Sequence, residues 1–394
     1  MNVLFYTSFE VSPIKGGTER ITATIATELQ RTYGIKCYSI YKTTIPVEFE
    51  RTPFTASMQI PMGKMFEISL YNFIKEYDID IIVNQGAFEL ATSMRHVLDR
   101  FNGKYLITVH HFNPGGEEHF FNLHHTFYQL KKETGCWKNM IKLLSYPVLK
   151  YLKKRNLHKA YHEAYLNSDR IVLLSDKFRE DFRKYAHLDE TDKISSIHNA
   201  LSFDSFFDMA DYSKKRKEVL IVSRLDEVQK RISLALRVWK LVEQHPQLND
   251  WRLVIVGHGD EYEASYKQFV RKEGLKHVVF EGAQKPESYY KDALLFMLTS
   301  AYEGWGLTLT EAQQYGVVPL AFYSYASVTD IITDGQNGYL IPDGDISLYA
   351  KQLMNLMQND SLRKRLAANS IETSKRFSID NICKDWVMLF NDLM

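Results

Sequence analysis

The sequence predicts an α/β protein made of two doubly wound domains. It has 394 residues, which exceeds the size at which a single hydrophobic core usually keeps growing. With 45% hydrophobic and 25% charged residues, its composition is that of an ordinary globular protein. Short apolar runs alternate with stretches of helical periodicity along the whole chain, which is the pattern of parallel α/β domains.

Two series of strands are predicted, each strand a short apolar run bounded by helical or polar stretches. Between the first two strands, Ile21, Ile25 and Leu29 fall on one stripe of a helix over residues 18–29. The first series covers residues 3–7, 37–41, 79–83, 106–109 and 171–174, and the second covers 219–222, 253–256, 278–280, 294–298 and 318–321.

A polar stretch over residues 204–217 separates the two series, so the domain boundary is predicted near 199–217. We expect an N-terminal domain over 1–198, a second domain over 199–377, and a C-terminal helix over 378–394 that could return to the first domain. Ligands of doubly wound domains bind outside the carboxyl ends of the strands. We therefore expect the active site to lie between the two domains.

Composition excludes several other classes of protein. A net charge of +1 argues against a surface built for nucleic acid. The three cysteines, Cys37, Cys136 and Cys383, are odd in number and far apart, which predicts neither a disulfide framework nor a zinc site and fits a reducing cytosol. No basic residue precedes Lys15, so the apolar N-terminus is interpreted as a buried strand rather than a signal peptide. No run reaches the roughly 18 apolar residues of a membrane span, and a cytoplasmic protein is expected.

Residues 303–311, a loop with two glycines flanked by Glu303 and Glu311, are the most informative segment. A strand precedes the loop and a helix-forming run follows it, so backbone N–H groups and a positive dipole end are available to a phosphate. The two carboxylates would repel a phosphate but can accept hydrogen bonds from sugar hydroxyls. This pattern predicts a nucleotide-sugar site. In the alternative interpretation, Thr308 and Glu311 form a capping box and Glu303 is an ordinary loop carboxylate.

Two cations follow the first strand of the second series. Arg224 lies just past the apolar run 219–222, and Lys230 lies on the same loop. Together they could neutralise a diphosphate leaving group, although a solvated basic loop remains an alternative. Gly16 and Gly17 open the first helix and allow a ligand to approach the main chain closely, but a flexible turn explains them equally well.

Two further motifs are rejected. Gly257 and Gly259 suggest a dinucleotide-binding loop, but Tyr262 occupies the position of the third glycine, which argues against an NAD enzyme. Asp78 and Asp80 form a D-x-D pair, but the pair opens a strand, and Asp78 is expected to end the preceding helix.

Residues 110–125 contain five histidines and two glutamates, a density that suggests a metal site. No H-E-x-x-H motif is present, however, and residues 113–116 predict a loop. Because His110 follows the strand 106–109, we favour it as a substrate contact. The remaining residues are interpreted as an acceptor-side loop, namely His111, Glu117, Glu118, His119, His124 and His125. No metal is expected.

Together these motifs resemble the retaining glycosyltransferases of family 4 (glycosyl transferases group 1). That family has the GT-B fold, in which two Rossmann-like domains face each other across a central cleft. The E-x7-E element from Glu303 to Glu311, placed after Arg224 and Lys230, is the specific part of the resemblance. The similarity runs nearly end to end and also includes residues 16–20, 108–110, 197–200, 223–225, 257–259, 280–282, 316–319 and 337–338.

The resemblance implies a role for each matching residue. Glu311 would hold the ribose hydroxyls, Glu303 would contact the donor sugar near its reacting carbon, and His110 would lie beside that sugar. Arg224 and Lys230 would hold the diphosphate in place of a metal ion, and no cofactor is implied. Retention would follow from attack on the same face, assisted by the leaving phosphate. Backbone groups would assist at Gly16, Gly17, Gly306, Leu307 and Thr308.

The implied function is transfer of a hexose from a nucleotide-diphosphate sugar, with UDP favoured over GDP. The acceptor would be a glycan or a lipid-linked molecule in cell-envelope polysaccharide synthesis. Two alternatives stay open: a catalytically silent nucleotide-sugar binder or assembly partner, and an epimerase or phosphorylase of the same fold. The sequence departs from the family at Trp305, where a smaller aromatic residue is usual, and at Gln313-Gln314-Tyr315, where small apolar residues are usual.

Residues 131–160 hold nine Lys/Arg residues and one acidic residue, a net charge of +8. Ile141, Leu144, Val148 and Leu152 recur among them at helical spacing, interrupted at Pro147. A basic amphipathic stretch over 131–159 could lie on anionic lipid at the inner face of the cell membrane. A solvated basic helix packed on its own domain explains the pattern equally well.

Overall fold

The computed structural model describes residues 1–12, 16–44, 53–116, 118, 145–259 and 262–394. The chain divides into two compact units, one formed by Met1–Ala200 with Ile379–Met394 and the other by Leu201–Ser378. Each unit contains a parallel sheet with helices between successive strands, so the predicted α/β class is confirmed. Predictions for Glu117, His119, the paired residues His124 and His125, Cys136, and the range 131–144 lie outside the described residues.

In the described part of the first unit, seven strands form one parallel sheet. They are β1 (Asn2–Phe9), β2 (Lys36–Thr43), β3 (Ala56–Gln59), β4 (Ile81–Asn84), β5 (Tyr105–His110), β6 (Arg170–Leu173) and β7 (Ile194–Ser196). Their order across the sheet is β3-β2-β1-β4-β5-β6-β7. Val3, Leu4 and Phe5 of β1 are fully buried, as expected for a central strand of a parallel sheet that helices cover on both faces.

The second unit repeats this plan. Among its described residues, six parallel strands are β8 (Arg216–Val222), β9 (Arg252–Val256), β10 (Val278–Gly282), β11 (Ala293–Leu298), β12 (Val318–Tyr323) and β13 (Tyr339–Pro342). Their order is β10-β9-β8-β11-β12-β13. The strand order therefore reverses between β8 and β11, and such a reversal opens a crevice at the carboxyl ends of the two strands.

Helices connect the strands in both units. None of the described helices combines the length and the apolar character that a membrane span needs. The first unit has α1 (Gly17–Tyr33), α2 (Lys64–Tyr77), α3 (Ala91–Leu98), α4 (Tyr146–Asn167) and α5 (Arg179–Tyr185). The second has α6 (Ile232–Glu243), α7 (Glu263–Glu273), α8 (Glu287–Asp292), α9 (Leu307–Gln314), α10 (Val328–Ile331), α11 (Ile346–Gln358) and α12 (Asp360–Ser374), and α13 (Ile379–Leu393) follows in the first unit.

Several local predictions are settled by these elements. Asp78 ends α2 in a left-handed conformation, with φ 45° and its N–H on the Ile74 carbonyl. The carboxylates of Asp78 and Asp80 both accept hydrogen bonds from Lys104, at 2.7 and 3.1 Å. Pro147 lies in the first turn of α4, where a proline is tolerated because its missing N–H would have no partner within the helix.

The core of the second unit lies between its sheet and the helices α6 and α11. Val219 and Ile221 of β8 belong to it together with Trp239 of α6 and Leu353 of α11. These side chains alternate along β8 with residues directed to the opposite face of the sheet. A rigid sheet therefore supports the loops that leave its carboxyl edge.

Candidate functional site

The candidate site of the second unit lies where β8, β9 and β11 end. Arg224 follows β8 by two residues and Glu303 follows β11 by five. Lys230 lies on the loop between β8 and α6. Parallel strands end at one edge of a sheet, so these loops are neighbours, and the structure brings Lys230 into direct contact with Glu303.

Gly257, directly after β9, allows the loop bearing Arg224 to pack closely. Its φ is +136°, and a Cβ at this position would lie 1.8 Å from the Ser223 carbonyl oxygen. The N–H of Leu225 donates to the carbonyl of His258 at 3.0 Å. A glycine is needed at 257 because the backbones of the two loops approach each other so closely.

Three donors hold the Glu303 carboxylate. The Lys230 ammonium group lies 2.5 Å from Oε1, the Ser300 hydroxyl donates to Oε1 at 2.6 Å, and the Gln229 amide donates to Oε2 at 3.3 Å. Glu303 is only 8% exposed. The carboxylate is thus held in a fixed orientation before any ligand binds, as a preorganised binding group requires.

Arg224 is exposed, and its Nη2 donates to Oε1 of Gln229 at 2.9 Å. Gln229 therefore lies between the guanidinium group of Arg224 and the carboxylate of Glu303. Neither Gln229 nor Ser300 was predicted from the sequence. The only signal for Gln229 was its position directly before Lys230.

Glu311 lies inside helix α9, which begins at Leu307. Gly306 precedes it in a left-handed conformation, with φ 96°. Because Thr308 is already helical, the alternative of a Thr308–Glu311 capping box is wrong. The Glu311 carboxylate instead accepts a hydrogen bond from the Tyr290 hydroxyl at 2.9 Å.

Tyr325 is a buried residue at this site that the sequence analysis did not select. A Cβ on Gly306 would lie 2.9 Å from the Tyr325 hydroxyl oxygen, so the glycine leaves room for that hydroxyl group. Burial, together with the nearby charge of Glu303, raises the pKa of Tyr325 well above its usual value. Its hydroxyl therefore stays protonated and can only donate or accept a hydrogen bond.

The residues that depart from the family pattern have structural partners. Trp305 packs edge-on against Phe377, with ring centroids 5.1 Å apart. Gln313 donates to the carbonyl of Ile331 at 3.0 Å, and Gln314 donates to the carbonyl of Phe203 at 2.6 Å. These contacts hold α9 and the loop before it without involving Glu303 or Glu311.

His110 ends β5 in the first unit and is buried among aromatic rings. Its Nε2 lies 2.9 Å from the Tyr161 hydroxyl, and its ring centroid is 5.0 Å from that of Phe88. Burial, with a smaller contribution from His111, lowers the pKa of His110 to about 3. His110 is therefore a neutral hydrogen-bonding group at physiological pH.

Gly16 and Gly17 mark the start of α1, with Gly16 at its N-cap and φ 68°. Like His110, they belong to the first unit, whereas the other candidate residues belong to the second. The assembly of both sets into one active site stays a prediction.

Two protein-family profiles match the chain in succession. "Glycosyltransferase Family 4" matches residues 15–204, and "Glycosyl transferases group 1" matches residues 204–373. The chain has two parallel-sheet units, and its E-x7-E loop follows an Arg/Lys pair in sequence. These two features define the class of the GT-B glycosyltransferases. The chain belongs to glycosyltransferase family 4.

Named relatives are similar over part of their length. Amylovoran biosynthesis glycosyltransferase AmsD of Erwinia amylovora is 31% identical over 200 residues, 50% of this chain and 54% of that protein. The poly(glycerol-phosphate) alpha-glucosyltransferase of Bacillus subtilis is 24% identical over 274 residues, 68% of this chain and 39% of that protein. The chain thus spans about half the length of these relatives or less.

A solved structure supports the fold assignment. Alr3699/HepE of Anabaena, in complex with UDP and glucose, matches with a TM-score of 0.72 and 16% identity, over 100% of both chains. At that identity the similarity establishes the GT-B fold.

Proposed function

We propose that the protein is a retaining hexosyltransferase that uses a nucleotide-diphosphate sugar. One observation carries the proposal: Arg224, Lys230 and Glu303 belong to a single hydrogen-bond network at the carboxyl edge of the second sheet. Two cations beside an oriented carboxylate suit a donor that is anionic at its diphosphate and rich in hydroxyls at its sugar. The N-terminus of α9 begins four residues after Glu303 and adds backbone N–H groups.

The reaction is a substitution at the anomeric carbon of the donor sugar. The bond from that carbon to the diphosphate oxygen breaks, and the acceptor hydroxyl oxygen bonds to the same face. The acceptor proton passes to the departing phosphate oxygen. Arg224 and Lys230 stabilise the charge that develops on the diphosphate, so that no metal ion is needed.

The remaining roles divide between the two units. Glu303 accepts hydrogen bonds from the sugar hydroxyls, and Glu311 accepts them from the ribose. For His110, Gly16 and Gly17 we propose the donor contacts that the family resemblance implies.

We infer that the donor is a UDP-sugar and the acceptor a glycan or lipid-linked molecule of the cell envelope. The Anabaena structure contains UDP and glucose, which supports a uridine nucleotide. The names of the two relatives refer to amylovoran biosynthesis and to poly(glycerol-phosphate), which supports a polymeric acceptor.

We also propose that α4 brings the enzyme to an anionic membrane at its cytoplasmic face. Residues 147–156 are exposed. At 100° per residue, their apolar side chains share one arc of the helix and three lysines share the opposite arc. The apolar arc holds Val148, Leu149, Tyr151 and Leu152 together with Arg155, and the basic arc holds Lys150, Lys153 and Lys154, of which Lys154 forms an ion pair with Glu118 at 3.0 Å. Exposed apolar side chains beside a cluster of cations suit an anionic lipid surface.

Turnover of nucleotide sugars tests the enzymatic proposal. Purified protein in EDTA is supplied with UDP-hexoses and GDP-hexoses, with water as the acceptor; nucleotide release is measured, and the anomeric configuration of the hexose first released is read by NMR. We expect release from a UDP-hexose with retained configuration. Arg224→Ala and Lys230→Ala should each lower turnover about a hundredfold or more, because each removes a preorganised stabiliser of the leaving group.

Lys240→Ala serves as the matched control, since Lys240 forms a surface ion pair with Glu273 at 2.5 Å. Melting temperatures are measured in parallel, because Lys230→Ala also removes the ion-pair partner of a buried carboxylate. Turnover that EDTA abolishes and manganese restores would contradict the metal-free scheme. A product of inverted configuration would contradict retention.

A further inference from the structure

Gln229 occupies a buried position in the loop between β8 and α6. It is 6% exposed. Its backbone N–H donates to the Asp226 carboxylate at 3.0 Å, and its carbonyl accepts the N–H of Ala301 at 2.7 Å. The main chain at Gln229 is therefore tied both to its own loop and to the loop that follows β11.

The side-chain amide uses its acceptor and its donor group together. Oε1 accepts from Arg224 Nη2 at 2.9 Å. Nε2 lies 3.3 Å from the Tyr302 carbonyl oxygen and 3.3 Å from Glu303 Oε2. The charges of the neighbours determine the orientation of the amide, because a flipped amide would direct its NH₂ group at a guanidinium and its oxygen at a carboxylate.

We propose that Gln229 is a positioning residue. It keeps Arg224 and Glu303 from pairing with each other, and it orients Arg224 for the diphosphate and Glu303 for the sugar of the donor. This inference rests on the proposed function, in which Arg224 binds the diphosphate and Glu303 binds the sugar. If Arg224 also paired directly with Glu303, as Lys230 does in the ligand-free site, the donor would have to break a second ion pair before both groups could bind it. A neutral amide satisfies both groups and keeps their charges separate.

Two substitutions at residue 229 separate a positioning role from simple filling of space. A methionine would fill the same space without a hydrogen bond, so Arg224 and Glu303 would lose their common partner. A glutamate would pair with Arg224 and repel Glu303. Both substitutions therefore change the electrostatics of the site while leaving the backbone contacts of residue 229 in place.

Kinetics of Gln229→Met and Gln229→Glu test the proposal, with exposed Gln284→Met as the matched control. We expect kcat/KM for the UDP-hexose to fall about tenfold to a hundredfold in Gln229→Met, the scale of a hydrogen bond to a charged group. Gln229→Glu should fall further, and Gln284→Met should match wild type. A Gln229→Met value within about threefold of wild type overturns the proposal.

Donor binding in a double-mutant cycle separates positioning from packing. UDP-hexose affinity is measured calorimetrically for Gln229→Met, Glu303→Ala and the double variant. If Gln229 acts through Glu303, Gln229→Met should weaken UDP-hexose binding when Glu303 is present. In protein that already carries Glu303→Ala, the same substitution should change the affinity less than about threefold. Additive losses overturn the proposal. Should Gln229→Met not fold, Gln229→Asn, which keeps the amide but shortens its reach, is measured in the same cycle. Wild-type protein that neither binds nor turns over any nucleotide sugar would instead refute the proposed function.

Discussion

At the scale of single residues, the ion pair between Lys230 and Glu303 defines the ligand-free site. Both side chains are largely buried, with 14% and 10% of their surface exposed. A donor diphosphate would compete with Glu303 for Lys230. Glu303 would keep its contacts with Ser300 and Gln229 and become available to sugar hydroxyls. Breaking a buried pair is unfavourable by itself, so the new contacts with the donor have to replace the lost one.

His110 gives a pH-dependent prediction at the same scale. Its pKa in the folded protein is about 3, below the ordinary value of 6.5, because burial disfavours the imidazolium. The unfolded chain therefore binds more protons between these values, and stability should fall as pH drops below 6.5. The contribution of His110 to this fall is up to about 1.4 kcal/mol per pH unit. Denaturant unfolding at pH 7 and pH 5 should show a smaller loss of stability in His110→Phe than in wild type.

His96→Phe is the control for that measurement, since the His96 side chain is 60% exposed. It should leave the acid-dependent loss of stability unchanged. An identical pH dependence in His110→Phe and wild type would show that His110 is not the buried neutral group described above.

At the scale of elements, the buried Lys215, directly before β8, holds the helix that carries Tyr290. The ammonium group of Lys215 donates to the carbonyls of Tyr290, Lys291 and Ala293 at 2.9, 3.0 and 3.0 Å. Burial lowers the pKa of Lys215 to about 7. These bonds fix the end of α8, which carries Tyr290 and thereby the hydrogen bond to Glu311.

Helix α4 gives the prediction that belongs to this scale. The double variant Lys150→Glu/Lys153→Glu should lose binding to anionic liposomes while donor affinity stays unchanged. Each cation near an anionic surface contributes about 1 kcal/mol, so reversing two charges should lower the fraction bound many-fold. Co-sedimentation with anionic and neutral liposomes measures this, and added salt should release the wild-type protein.

The control is Lys267→Glu/Lys291→Glu, which reverses two lysines of the second unit, each paired with a glutamate within its own helix. It should bind anionic liposomes as wild type does. If wild type and the α4 variant bind anionic liposomes equally, the proposed membrane role is wrong and α4 is a solvated helix.

At the scale of the whole molecule, the central strands and one edge strand, β10, were predicted from the sequence, and the other edge strands were missed. Three strands were not predicted: β3, β7 and β13. All three are edge strands of three or four residues. Such strands are short, half exposed and often polar, as in the Ile-Ser-Ser run of β7, so they lack the apolar signal that identifies a buried strand.

The candidate site shows a similar limit. Arg224, His110 and Glu303 could be selected because they follow apolar strands or lie in a recognisable motif. Gln229 and Tyr290 could not, since their roles depend on partners that folding brings close. Tyr290 is 21 residues from Glu311 in sequence, and nothing in the local pattern connects them.

Binding of UDP to the second unit's E-x7-E element tests the central claim most directly. Calorimetric titration of UDP in EDTA compares wild type with Glu311→Ala, Tyr290→Phe and the neighbouring control Tyr289→Phe. We expect Glu311→Ala to weaken UDP binding about tenfold or more, because the ribose loses a charged acceptor worth about 1.5–3 kcal/mol. Tyr290→Phe should have a smaller effect in the same direction, because it removes only the group that orients the carboxylate, and Tyr289→Phe should have none. UDP affinity that is unchanged in Glu311→Ala, with only a lower melting temperature, would contradict the account and leave Glu311 as a structural carboxylate.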